Sequence, residues 1–194
     1  MNIIFTRPLI DSEDLMMNFF SSGHKVIHMP TLSIASANME PINTKDYDGL
    51  IFTSANAVRF LKLKNDDKNI KCFCVGNLTE RSLRLKGFNN TIAASGTVNA
   101  LKNIIINSEK NVKNLAYLCG DVISYELDKE LKQEGLKVSK IINYISTKIT
   151  EPSGIEMGPS GNCRSSQIVL NSAIAISYSC CQRIINNSGF ACRL

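Results

Sequence analysis

The sequence predicts an α/β fold in which parallel sheets are covered by helices on both faces, and three features carry that expectation. Short apolar runs of strand length alternate with segments of helical period, each run is followed by a small or polar turn, and glycines stand where the helices should stop. With 194 residues, 44% of them hydrophobic and 20% charged, the chain can bury a substantial core.

The first thirty residues read as one βαβ unit. Residues 2–5 form an opening strand. Asp11 or Ser12 can cap a helix that carries Glu13 and Asp14 in its first turn and Leu15, Met16, Phe19 and Phe20 on its apolar face. Gly23 ends that helix, residues 24–29 form a second strand, and Pro30 stops it. Residues 31–47 are polar and lack a helical period, so they read as a connector. From Asp48 one pattern repeats four times. The strands are 50–53, 72–75, 91–94 and 115–119, and the turns after them are Ser54-Ala55-Asn56, Gly76-Asn77, Ser95-Gly96-Thr97 and Gly120-Asp121. The helices that follow should bury Ala57/Val58/Leu61, Leu78/Leu83/Leu85, Leu101/Ile104/Ile105 and Val122/Leu127/Leu131, with Gly87 and Gly135 as stops. A last strand spans 137–144.

Composition narrows the function. Lys+Arg 22 against Asp+Glu 17 is a mild excess, scattered along the chain, so no basic stripe marks a nucleic-acid partner. The start, MNIIFTRPLI, lacks a basic segment followed by a long apolar core, and no apolar run is long enough to span a bilayer. A cytosolic protein without a membrane partner, its thiols reduced, is expected. The seven Cys and two His show no metal-ligand spacing, so no metal is expected. Cys72 and Cys74 share a strand face and read as core, His24 and His28 as structural or solvent-facing, and the Asp66-Asp67 pair as solvated.

In parallel sheets ligands bind outside the carboxyl ends of the strands. Each turn here presents backbone N–H groups at a helix start beside a Ser, Thr, Asn or Gly, which suits carboxylates and phosphates. The same residues also serve as plain helix caps.

The order and spacing of these turns are more specific than any one of them. A strand ending Phe5-Thr6-Arg7-Pro8, the Phe52-Thr53-Ser54-x-Asn56-Ala57-Val58 segment, Val75-Gly76-x-x-Thr79, Ser95-Gly96 with Leu101, Leu118-Cys119-Gly120-Asp121 and a strand ending at Tyr144 together resemble uroporphyrinogen-III synthase over about residues 1–150. The resemblance implies a two-lobed α/β protein with parallel-sheet, flavodoxin-like lobes, one inserted in the other, and an active site in the cleft between them. It places residues 1–31 in the first half of lobe 1 and residues 35–147 in the inserted lobe 2. It further implies a monomer that needs no cofactor, whose substrate is a small molecule, the linear tetrapyrrole hydroxymethylbilane with its many carboxylates. The reaction removes the terminal hydroxyl as water and closes the ring with the last pyrrole inverted.

The resemblance also suggests roles. Tyr144 would protonate or hydrogen-bond the departing hydroxyl, or else it packs at a lobe edge. Thr79 would donate to a carboxylate or the leaving group, or act as a helix cap. Ser54, Asn56, Gly76, Ser95, Gly96, Gly120 and Asp121 would hold the acidic side chains, largely through backbone N–H groups, and Arg7 would face the cleft from the other lobe or fix a turn. Asn56 stands where some relatives carry a base, so a charge-assisted contact there is not implied.

The pattern stops near residue 150. All fifteen Lys lie at or before Lys148, whereas the 44 residues from Glu151 onward hold four of the seven Cys, eight Ser and five charges. The family's further strand–turn–helix units are not recognisable there, so the second half of lobe 1 is expected to be missing or replaced. Residues 151–194 read as an atypical tail, either translated from a shifted frame, poorly ordered, or a divergent terminus whose residues 168–185 cover the small lobe. Three functional readings stand: an active synthase, an inactive truncated relative, and a non-catalytic anion-binding α/β module.

Overall fold

A computed structural model describes residues 1–65, 67–108, 112–150, 154–157, 163–166 and 173–176, the last three segments by backbone pairing alone. The chain divides into two units, one built from Met1–Ser33 and the described residues from Thr147 onward, the other from Ile34–Ser146.

In the first unit β1 (Asn2–Phe5) leads through a single 3-10 turn into α1 (Glu13–Ser21) and β2 (Lys25–His28). The apolar run makes β1, and Met16 is the buried residue of α1. Phe19 and Phe20 pack against a cluster of Ile3, Phe5, Met16 and Val26. Ser12 takes the N-cap position, but its hydroxyl donates to Pro8 O at 3.0 Å rather than capping the helix. Leu15, expected on the apolar face, is exposed. His24 falls outside β2, whereas His28 is buried with Nε2 2.9 Å from Arg7 O. Three further strands, β9 (Gly154–Met157), β10 (Cys163–Ser166) and β11 (Ala173–Ile176), complete a five-stranded sheet in the order β10-β9-β2-β1-β11. β11 lies parallel to β1, while β9 pairs antiparallel with both β2 and β10. This sheet is therefore mixed, where an all-parallel one was expected. The remaining readings of the 151–194 tail lie outside the described residues, as does Asp66.

The second unit carries β3 (Leu32–Ser36), β4 (Gly49–Phe52), α2 (Ala55–Arg59), β5 (Lys71–Cys74), α3 (Asn77–Leu85), β6 (Thr91–Ala93), α4 (Val98–Ile106), β7 (Asn114–Gly120), α5 (Leu127–Gln133) and β8 (Lys137–Lys148). Its sheet runs β3-β8-β7-β4-β5-β6, and β8, β7, β4, β5 and β6 run parallel to one another. Part of the expected connector is thus strand β3, and β8 continues four residues beyond Tyr144.

Burial on both faces explains why these strands read as continuous apolar runs. Leu50, Phe52, Cys72, Cys74, Ala116 and Leu118 point to one core with Ala57, Val58, Leu83 and Phe88. Ile51, Phe73, Leu115, Tyr117 and Cys119 point to the other with Leu101, Ile105, Leu127 and Leu131. Gly23, Gly87 and Gly135 take φ of 79°, 89° and 84°, as residues that terminate helices do. Two helix faces differ from expectation. α3 starts directly after Gly76, so Thr79 and Leu83, four apart, form its buried stripe, while Leu78 and Leu85 are 77% and 80% exposed. α5 begins only at Leu127, which leaves Val122 outside it and 72% exposed.

Asp48 ties the amino ends of the central strands. Its carboxylate accepts from Lys113 N at 2.9 Å and Asn114 N at 2.7 Å, and its own N–H donates to Asn114 O at 2.8 Å. The Asn114 N–H, followed by that of Lys113, holds this carboxyl below its ordinary range.

Two outcomes follow from this packing. Leu118→Ala should lower the unfolding free energy by about 3 kcal/mol in urea titrations, whereas Leu78→Ala and Leu85→Ala should each stay within about 0.5 kcal/mol. A loss at residue 78 equal to that at 118 would put Leu78 in the core. Asp48→Asn should cost about 1 kcal/mol at neutral pH. Because the folded carboxyl titrates below its unfolded value, that stability is present above the ordinary carboxylate range and is lost as pH falls through the folded value. Urea midpoints of the variant and the parent should therefore converge in acid; a constant gap would exclude the charge as the cause.

Candidate functional site

Parallel pairing sends the carboxyl ends of β4, β5, β6, β7 and β8 to one edge of the second unit's sheet. Strand order reverses beside β4: the chain moves outward to β5 and β6, then returns to β7 on the other side. Crevices at such reversals are where open α/β sheets bind ligands. The turns after β4 and β7 flank this one.

After β4, Ser54 is the N-cap of α2 and its Oγ accepts from Asn56 N at 3.1 Å, so the hydroxyl is engaged within the turn. The Asn56 side chain accepts from Arg59 Nη1, which brings a guanidinium one turn after the position where a base was not implied. After β5, Gly76 caps α3 without a side chain, and after β6, Gly96 bends at φ 89°. These two turns touch: Gly96 N donates to Val75 O at 2.8 Å, and a Cβ on Gly76 would lie 3.8 Å from the Gly96 Cα. Ser95 is exposed, and the α4 cap is instead Thr97, whose hydroxyl accepts from Ala100 N at 3.2 Å. Thr79 stands in the first turn of α3 and is buried.

Tyr144, Gly120 and Asp121 come together at the ends of β7 and β8. Gly120 pairs with Tyr144 across a register shift, and a Cβ on Gly120 would meet the tyrosine's Cε2, Cζ and Oη at 2.6, 2.7 and 2.9 Å. Any side chain at 120 would displace the ring. Asp121 N donates to Tyr144 O at 3.1 Å, and its carboxylate accepts from Ser146 N at 2.9 Å. That oxygen is occupied in holding the end of β8. Tyr144 is carried by β8, whereas Thr79 stands on the helix that follows β5, a strand three places away from β8 in the sheet.

Arg7 lies in the first unit, where its guanidinium is 3.6 Å from the Asp11 carboxylate. Sequence reasoning passed over Thr53 and Tyr117. Thr53 Oγ1 and Tyr117 Oη lie 3.2 Å apart, directly under the reversal between β4 and β7. Burial pushes the Tyr117 phenol up to about 12, against the opposing pull of the Thr53 hydrogen bond, so it keeps its proton at neutral pH. A Thr ending a strand and a Tyr inside one were the available signals, and both are common in plain cores. Burial also raises the thiols, Cys72 to about 12 and Cys74 and Cys119 to about 11, which leaves them poor nucleophiles. Among the described residues no three His, Cys, Asp or Glu side chains gather as a metal site, and no helix is long and apolar enough to cross a membrane.

Chemically, the edge offers backbone N–H groups at helix starts and the hydroxyls of Thr79 and Tyr144. Such an edge suits a ligand bearing several carboxylates.

Comparison with known proteins bears on the whole chain. The family described as uroporphyrinogen-III synthase HemD matches residues 14–157. No curated protein sequence matches. The fold is similar to the crystal structure of uroporphyrinogen-III synthetase from Helicobacter pylori, with 16% identity, a TM-score of 0.57, and 98% of this chain and 90% of that one covered. It is also similar to a mutant uroporphyrinogen III synthase from the extremely thermophilic bacterium Thermus thermophilus, with 15% identity and a TM-score of 0.52 over 76% of this chain. That match spans only 63% of the Thermus protein. With the family's pattern extending over most of its length, the chain belongs to the uroporphyrinogen-III synthase family.

Proposed function

We propose that the chain is a uroporphyrinogen-III synthase, a lyase of porphyrin and haem biosynthesis that cyclises hydroxymethylbilane with loss of water and inversion of the last pyrrole. The family match over residues 14–157 carries this reading. The edge of turns supports it, because a flexible, polyanionic bilane needs many spaced N–H donors to be held in one conformation. The protein's work is then mainly orientation: unguided closure yields the uninverted ring, so the bilane must be folded toward a spiro intermediate.

Within that reading Tyr144 Oη donates a proton or hydrogen bond to the departing hydroxyl, and the hydroxyl of Thr79 donates to a substrate carboxylate or to the leaving group. Backbone N–H groups at Ser54, Gly76, Ser95 and Gly120 receive acetate and propionate groups, while those of Asn56, Gly96 and Asp121, engaged within the fold, hold the turns in shape. The proposed protein is cytosolic and monomeric, acts without a cofactor, and has no nucleic-acid or membrane partner. The scattered distribution of its Lys and Arg supports the absence of a nucleic-acid partner.

Incubation of the purified chain with fresh hydroxymethylbilane should give the inverted isomer, resolved by chromatography after oxidation. Formation of only the uninverted isomer would establish an inactive relative instead. Tyr144→Phe should lower kcat by about a hundredfold or more, and Thr79→Ala should raise KM or lower kcat by about tenfold, the loss of one hydrogen bond to a charged group. Wild-type kinetics in either variant would remove that residue from the mechanism.

A further inference from the structure

Tyr144 is carried by β8, yet its ring does not stay over its own strand. It crosses Gly120 of β7, where its Cε2, Cζ and Oη occupy the space that a Cβ would need. On the far side it meets Phe60, with ring centroids 6.4 Å apart and planes inclined by 29°, a stacked arrangement. Phe60 terminates α2, the helix after β4, and its N–H donates to Asn56 O at 3.1 Å. The end of α2 is in turn tied to β8 one residue before Tyr144, because the buried Asn143 donates through Nδ2 to Ala57 O at 2.6 Å. Asp121 secures the chain beyond Tyr144 through Ser146 N. The phenol ring is thus defined by a missing side chain beneath it and an aromatic face beside it, while the backbone is fastened on both sides.

We propose that Phe60 is a positioning residue of this site: by stacking on the Tyr144 ring over Gly120, it sets the direction in which the phenol hydroxyl meets the substrate. This rests on the reading that Tyr144 takes part in the reaction. The substrate need not touch Phe60. Its contribution belongs to the step in which the tyrosine hydroxyl acts, so it should appear in kcat and vanish when that hydroxyl is absent.

The test uses the full chain with Phe60→Leu, which keeps apolar volume and removes the stack, Phe60→Tyr, which keeps the stack, and Tyr144→Phe. Phe60→Leu should lower kcat about tenfold with KM within about twofold, Phe60→Tyr should restore kcat to within about twofold of the parent, and Phe60→Leu should cost nothing further in the Tyr144→Phe background. In aromatic NMR spectra, the Tyr144 signals, identified by their loss in Tyr144→Phe, should move in Phe60→Leu as the ring-current shift disappears. Unmoved signals, an equal kcat loss with and without the Tyr144 hydroxyl, or an effect confined to KM would each overturn the positioning role. Full kcat in Tyr144→Phe would instead overturn the reading on which it rests, a result told apart by the Tyr144 signals still responding to Phe60→Leu.

Discussion

The second unit depends on the parallel pairing of β4 with both β5 and β7. Crossover helices cover both faces of a parallel sheet, and β4 is buried on both, with Leu50 and Phe52 on one side and Ile51 on the other. Parallel pairing also requires each connection to cross over through a helix, which delivers every strand end, and every helix start, to the same edge of the sheet. The turns that offer N–H groups are therefore neighbours in space for the same reason that the core is closed. Packing and ligand chemistry have one geometric origin here.

Polar side chains at the two ends of the sheet serve this arrangement in parallel ways. At the amino end the Asp48 carboxylate takes two backbone N–H groups of the segment entering β7, and at the carboxyl end the Asp121 carboxylate takes the N–H of Ser146 on β8. Each satisfies backbone groups that would otherwise need water and so fixes where a strand begins or ends. The Asp121 carboxylate thereby steadies the end of β8 beside Tyr144.

Much of this organisation was legible. Strands β4, β5 and β7 announce themselves as apolar runs followed by small residues, and Gly87 and Gly135 mark helix ends because positive φ favours glycine. The gathering of Gly76 with Gly96, and of Gly120 with Tyr144, follows from order and spacing once the sheet is parallel. Side-chain exposure was less legible. Leu78 and Leu85 fit a helical stripe on paper, but the start of α3 at Asn77 turns Thr79 and Leu83 inward instead. Val122 looked like the first apolar residue of a helix that begins five residues later. Strand β11 lies in a stretch whose composition breaks with all that precedes it, and only its partner β1 makes it a strand of that sheet.

The sequence by itself determined the alternation of strands and helices, the identity of the turns and the family to which they point, because these are set by local periodicity and by residues with restricted or permissive backbones. It also determined that position 120 carries no side chain. Only the tertiary structure decided what that absence is for: a tyrosine ring from β8 crosses there to reach Phe60 at the end of α2. Residues 60, 120 and 144 are remote in the chain, and no local rule relates them. Their meeting is a consequence of strand order, which exists only once the sheet has formed.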